Sequence, residues 1–244
     1  MIGGTMRFIA GMLAVAVLAL PGCGRAQDAD FIPALERLAE AGNAEAIYHL
    51  GMAYHTGSGV PEDHAKALDA FRKATALGDP LGAYKLGCYY DGQGAGLVEP
   101  DAKLALQYKL VAAKAGYALA QQDVGILYAR SGDVPTGLSW LERSAAQGWS
   151  GGLMALASVY NGATGIKPDA VKTAAYFQLF LIRSEPSEAQ AAWLKGFEAR
   201  LSPDERRRVE EIVGGYSPAP TQLTLKALSG QRAAQALVQR GGDR

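Results

Sequence analysis

The sequence predicts an all-α protein, a solenoid of stacked αα-hairpins wound as a right-handed superhelix. Two observations carry this expectation. The stretch LGMAYHTGSGVPED, beginning at Leu50, is echoed by LGCYYDGQG from Leu86, VGILYARSG from Val124 and LASVYNGATG from Leu156. Self-similarity in phase over one chain is the mark of a repeat array. Each echo is also followed by a second helical pattern, and three of the four close on a glycine, so every unit reads as helix, loop, helix.

The first helices align on Tyr54, Tyr90, Tyr128 and Tyr160. Counting back from each gives one stripe at i, i+3, i+4 and i+7, the spacing of a helix face. Its members are Ile47, Leu50, Gly51; Ala83, Leu86, Gly87; Gln121, Val124, Gly125; and Leu153, Leu156, Ala157. Gln121 is the polar misfit. A glycine inside a helix costs about 1 kcal/mol relative to alanine. Its recurrence on this stripe predicts that another helix crosses there at close range.

The second helices carry Ala67, Ala70, Phe71 and Ala74; Ala105, Tyr108 and Ala112; Trp140 and Leu141; and Tyr176, Phe177 and Phe180. They stop at Gly78, Gly116 and Gly148, with Ser184 in the fourth place. Glycine just past a helix end accepts the left-handed conformation that such a stop requires. The connecting loops are glycine-rich and lead into Pro-Asp or Glu-Asp, which starts the next helix. The third loop, Ser131-Gly132-Asp133-Val134-Pro135, is the short one.

The flanks complete the organisation. Residues 1–22 read as a signal peptide, because the apolar run FIAGMLAVAVLAL follows Arg7 and is too short to span a bilayer. Residues 23–43 hold the mature N-terminus and a capping helix, FIPALERLAEA. The repeats occupy 44–184, and two C-terminal capping helices fall within 185–214. LSPDERRRVEEIV shows proline and acidic residues at a helix start. Residues 215–244 read as a linker and a flexible tail, with room for one weak helix. Leu20-Pro21-Gly22-Cys23 resembles the bacterial lipobox, which implies lipidation of Cys23 and an outer-membrane anchor facing the periplasm; cleavage near Ala26 is the alternative.

Twenty-four basic residues balance twenty-four acidic ones. That balance argues against nucleic acid or an anionic membrane surface as a partner held by bulk charge. No Ser-x-x-Lys and no phosphate-binding Gly-x-x-x-x-Gly-Lys occurs. His49, His55 and His64 all fall in the first unit, but none has a carboxylate four residues on, so they read as exposed polar residues rather than a metal site. With Cys23 lipidated, Cys88 stands alone and reads as a small packing residue. No catalytic residue, metal or cofactor is expected.

The pattern LGxxYxxGxGV, a following Asp, a nearby Lys-Ala, an aromatic residue and a closing Ala-Ala-x-x-Gly resembles the Sel-one-like repeat family. The resemblance covers residues 44–184 and is fullest in the first unit. It implies a tetratricopeptide-like solenoid that acts as a noncatalytic adaptor or scaffold, binding a peptide or partner domain in the cell envelope. An enzyme or enzyme regulator acting on cell-wall peptides is the alternative, and a secreted effector engaging host proteins is a third. In helical repeats of this type the face beside the core stripe lines a concave groove. Register assigns to it Tyr48, Met52 and His55; Tyr84, Cys88 and Asp91; Gln122 and Ile126; and Met154, Ser158 and Asn161.

Overall fold

The computed structural model describes residues 30–94, 96–163 and 166–242, so the signal-peptide and Cys23 expectations lie outside it. A leading helix, α1 (Phe31–Glu40), precedes four hairpins. These are α2 (Ala44–Thr56) with α3 (His64–Ala76), α4 (Pro80–Cys88) with α5 (Ala102–Lys114), α6 (Ala118–Arg130) with α7 (Val134–Ala146), and α8 (Ser150–Ser158) with α9 (Ala170–Ile182). Then come α10 (Glu188–Glu198), α11 (Pro203–Gly214), α12 (Gln222–Ser229) and α13 (Gln231–Gly242). Each helix from α1 to α9 packs on the next, and α10 and α11 both cover α9. The chain is an all-α repeat solenoid.

Local chemistry sets each boundary. Asp63, Asp101, Asp133 and Asp169 cap the second helices by accepting hydrogen bonds from backbone N–H groups two or three residues on, each cap worth about 1 kcal/mol. In the three long loops the capping aspartate also donates its own N–H to the carbonyl of the aligned tyrosine, Asp63 to Tyr54 at 2.8 Å, Asp101 to Tyr90 at 2.8 Å and Asp169 to Tyr160 at 2.9 Å. The loop is thereby closed across its base. Gly78, Gly116 and Gly148 take φ of 87°, 96° and 81°, the left-handed stops that the sequence predicts.

The glycine stripe does meet a crossing helix. A Cβ added at Gly51 would lie 2.7 Å from the Phe71 ring, and one at Gly87 would lie 3.0 Å from the Ala105 carbonyl oxygen. A second row of small residues, not singled out in the sequence, stands five positions earlier: Ala46, Gly82, Ala120 and Gly152, all buried. Five residues turn a helix by about 140° beyond a full turn, so the two rows face different neighbours. One row meets the helix of its own unit. The other meets the preceding unit, as at Gly82 against Ala74 (2.8 Å) and Gly152 against Ser144 (2.6 Å).

The short third loop has its explanation here. Gly125 and Gly137 face each other, and a Cβ on either would approach the other's carbonyl oxygen to 2.9 or 2.7 Å. The two backbones touch, so three residues suffice to join α6 to α7.

The chain beyond residue 215 departs from expectation. It forms two helices, and they strap the solenoid along the starts of its first helices. Tyr216 donates to the Ala145 carbonyl at 2.6 Å, and Ala219 N–H to that of Ala146 at 2.9 Å. Lys226 pairs with Glu45 at 2.8 Å, and Leu237 of α13 is buried in a cluster with Leu35 and Leu50. The strap holds because its side chains supply bonds that the array lacks.

Candidate functional site

Two of the first helices, α6 after Tyr117 and α8 after Trp149, start without a side-chain cap, and the strap serves the first of them. Helices α2 and α4 are capped by Asn43 and Asp79, but Tyr117 before α6 gives no side-chain bond. Thr224 of the strap takes that role, accepting from Ala118 N–H at 3.0 Å. Thr224 also donates to Gln147 Oε1 at 2.7 Å, and Gln147 Nε2 donates to Gln121 Oε1 and to the Gly116 carbonyl, both at 2.8 Å. Gln121 donates in turn to the Ala113 carbonyl at 3.1 Å. The misfit of the apolar stripe is thus a fully partnered member of a buried polar junction, as burial of an amide requires.

A second polar network joins units two and three. Lys109 is 2 % exposed, and its Nζ donates to Asp91 and lies 3.2 Å from Asp123 Oδ2. Tyr84 donates to the same Asp123 oxygen at 3.1 Å. Burial by itself lowers the Lys109 pKa, but the bond to Asp91 and the charge of Asp123 outweigh it and hold the ammonium above its ordinary value. Burial pushes the Tyr84 phenol and the Cys88 thiol up, so both stay protonated at neutral pH.

The strap, α1 and the first unit together border a partly open cavity of about 480 Å³. Phe31, Ile32, Met52 and Ala53 form its apolar wall, Tyr48 and His49 lie on α2, and Lys226 and Ala234 close it from the strap. Size and lining suit an apolar group with a few polar anchors. Glu45 ties the strap down beside it. Burial raises the Glu45 carboxyl, yet His49 at 3.8 Å and the Lys226 ammonium at 2.8 Å bring it down to about 2. A depressed carboxyl contributes stability above its unfolded value of 4.5 that is lost as pH falls through about 2. Hydrogen-exchange protection of residues 222–242, corrected for intrinsic rate, should therefore fall between those pH values. Lys226→Met should remove most of that pH dependence.

The residues assigned by register do not share one surface. Tyr48 and Met52 line the cavity, and Met154, Ser158 and Asn161 are exposed. Tyr84 and Cys88 are buried, because Tyr117 of the next unit lies edge-on over the Tyr84 ring at 5.0 Å. They join units and do not form an open groove. Asp91 belongs to the Lys109 network, Gln122 accepts from Trp149 Nε1 at 2.8 Å, and Ile126 packs beside Leu141. His55 is half-buried, with Nδ1 3.1 Å from the Tyr89 hydroxyl and its ring 5.1 Å from that of His64.

The histidine expectation needs correcting. His49 is 7 % exposed, and its carboxylate neighbour lies four residues before it, Glu45 at 3.8 Å. Its Nε2 has no hydrogen-bond partner among the described residues. No group of three metal-ligating side chains occurs among the described residues. One string that a reading by repeats passes over, Gly148-Trp149-Ser150-Gly151-Gly152, spells the nucleophile-elbow pattern. That elbow turns from a strand into a helix, whereas this string joins α7 to α8. Its last two glycines are accounted for by packing, against Gln122 and Ser144.

Comparison with known proteins fits this architecture. The family described as Sel1 repeat matches residues 44–79, 80–117, 118–149 and 151–180, the four hairpins in order. A solved structure of a Sel1 repeat protein from Oxalobacter formigenes is 26% identical with a TM-score of 0.56, covering 63% of this chain and 64% of that one. The Arabidopsis thaliana protein described as ERAD-associated E3 ubiquitin-protein ligase component HRD3A is 44% identical over 71 residues, 29% of this chain. The match spans only 10% of that relative's length.

Proposed function

Because this chain belongs to the Sel1 repeat family, whose members are interaction scaffolds, we propose that it is a noncatalytic adaptor that holds a peptide or partner domain at the first-unit cavity. The supporting observation is the cavity itself, half-roofed by the strap, with Tyr48 and Met52 on its wall. Tyrosine and methionine are effective contact residues, the one amphipathic and the other adaptable. Docking continues over the exposed Met154, Ser158 and Asn161 of the fourth unit. The run before Cys23 supports an exported protein, lipid-anchored at the periplasmic face of the outer membrane.

One experiment in living cells tests both parts. A photo-crosslinking residue at position 52 should capture one discrete protein from the membrane fraction, and the same residue at the exposed position 207 should not. Adding Tyr48→Ala should reduce capture at least severalfold at a temperature well below the variant's own, lowered melting point, the ring being packed against Phe71. Equal capture from positions 52 and 207 would refute the cavity as the docking site. A wild-type chain found wholly in the soluble periplasmic fraction would refute the anchor.

A further inference from the structure

The two capping helices differ sharply in what they show to solvent. On α11, Asp204, Arg206, Arg207, Arg208, Glu210 and Glu211 are exposed, as a water-facing helix requires. On α10 the exposed face is Ala189, Ala191, Ala192, Trp193 and Gly196, with Glu188 and Lys195 its charged members. Ala189, Ala192, Trp193 and Gly196 stand at i, i+3, i+4 and i+7, the same spacing that carries every helix crossing in the repeats.

Trp193 is held for contact. Its ring lies 4.5 Å from Phe177 and 5.0 Å from Phe197 and remains 40% exposed. Gly196 differs from Gly51, Gly87 and Gly125: a Cβ there meets nothing within 4 Å among the described residues. The helix carries the cost of an internal glycine without the crossing that such a glycine permits.

We propose that α10 docks on α10 of a second copy, as an antiparallel, two-fold helix pair. Charge selects this occupant and this direction. A two-fold crossing centred near Ala192 and Trp193 sets Ala189 against the partner copy's Gly196, and brings Glu188 of each copy alongside Lys195 of the other. A parallel pair would put like charges together. The half-buried Glu198 is turned inward and leaves the pairing undisturbed. Two-fold pairing uses one surface twice and closes, so it makes a dimer and no fibre. An 11-residue helix is about 16 Å long, which limits the contact to the small, transient class of interface.

Sedimentation velocity on the mature chain should show a monomer–dimer equilibrium in the range of ~10–100 µM, as befits so small a contact. Gly196→Glu should abolish the dimer and leave the melting temperature unchanged. Glu188→Lys and Lys195→Glu should each weaken it about tenfold, through two repelling pairs, and an equimolar mixture of these two variants should restore it. The mixture keeps the test decisive should Gly196→Glu disturb folding. A wild-type chain that stays monomeric at ~500 µM, well above the expected range, overturns the proposal. So does a dimer that survives Gly196→Glu, or one that the charge-reversed mixture fails to restore.

Discussion

Gly125→Leu is expected to lower the melting temperature by about 10 °C, because roughly 3 kcal/mol of overpacking falls on a chain of this size. The new side chain would begin 2.7 Å from Leu141 Cγ and 2.9 Å from the Gly137 carbonyl oxygen. Leucine side chains can rotate away. A backbone carbonyl inside a helix cannot, and the three-residue turn leaves α6 and α7 no slack to separate. Arg130→Leu, at the exposed end of the same helix, should change the melting temperature by less than about 2 °C, as surface substitutions do. Similar losses in both variants would show that the Gly125–Gly137 crossing does not set the helix separation.

Lys109→Met should cost about 3 kcal/mol, the lower end for breaking a buried ion pair, since Asp91 remains 38% exposed and Asp123 20%. The loss comes from the two carboxylates left facing each other without a cation. Combining Lys109→Met with Asp91→Asn and Asp123→Asn should therefore recover most of it. The raised Lys109 pKa supplies a second check. A raised ammonium contributes fully below its unfolded pKa of about 10.4 and is lost only as pH rises through the higher folded value. The stability gap between wild type and Lys109→Met should thus stay constant from about pH 6 to pH 9. A Lys109→Met chain as stable as wild type in denaturant titration would remove the network from the account of how units two and three join.

Much of the array was legible because its causes are periodic. The stripe through Gly51, Gly87 and Gly125, the capping aspartates and the closing glycines are local, and they recur in phase. Features that depend on a neighbour were not legible in the same way. Tyr84 occupies the same register as Tyr48, yet one is buried and the other lines a cavity. The difference is the Tyr117 ring at the start of α6, whose matching position at the start of α4 holds Asp79. The strap escaped for a related reason. Thr221 and Thr224 bond to Gly116, Ala118 and Gln147, and a pair of threonines near a chain end has no periodicity to betray such distant partners. One signal did point that way: Gln121, a polar residue on an apolar stripe.

In an open array each unit leans only on its neighbours, so the ends melt first and the middle last. The strap gives this chain no ordinary end. Thr224 and Ala118 meet across 106 residues, and α13 covers the helices with which the described chain begins. The first hairpin consequently waits for α13, made well after it, before its apolar side is closed. During synthesis it stands unfinished while the hairpins after it are made, exposed to chaperones or to other chains. Once the final helix docks, the early and late portions guard each other, and loss of either loosens both. A row of units becomes a circle of dependence, whose weakest moment is the interval before it closes.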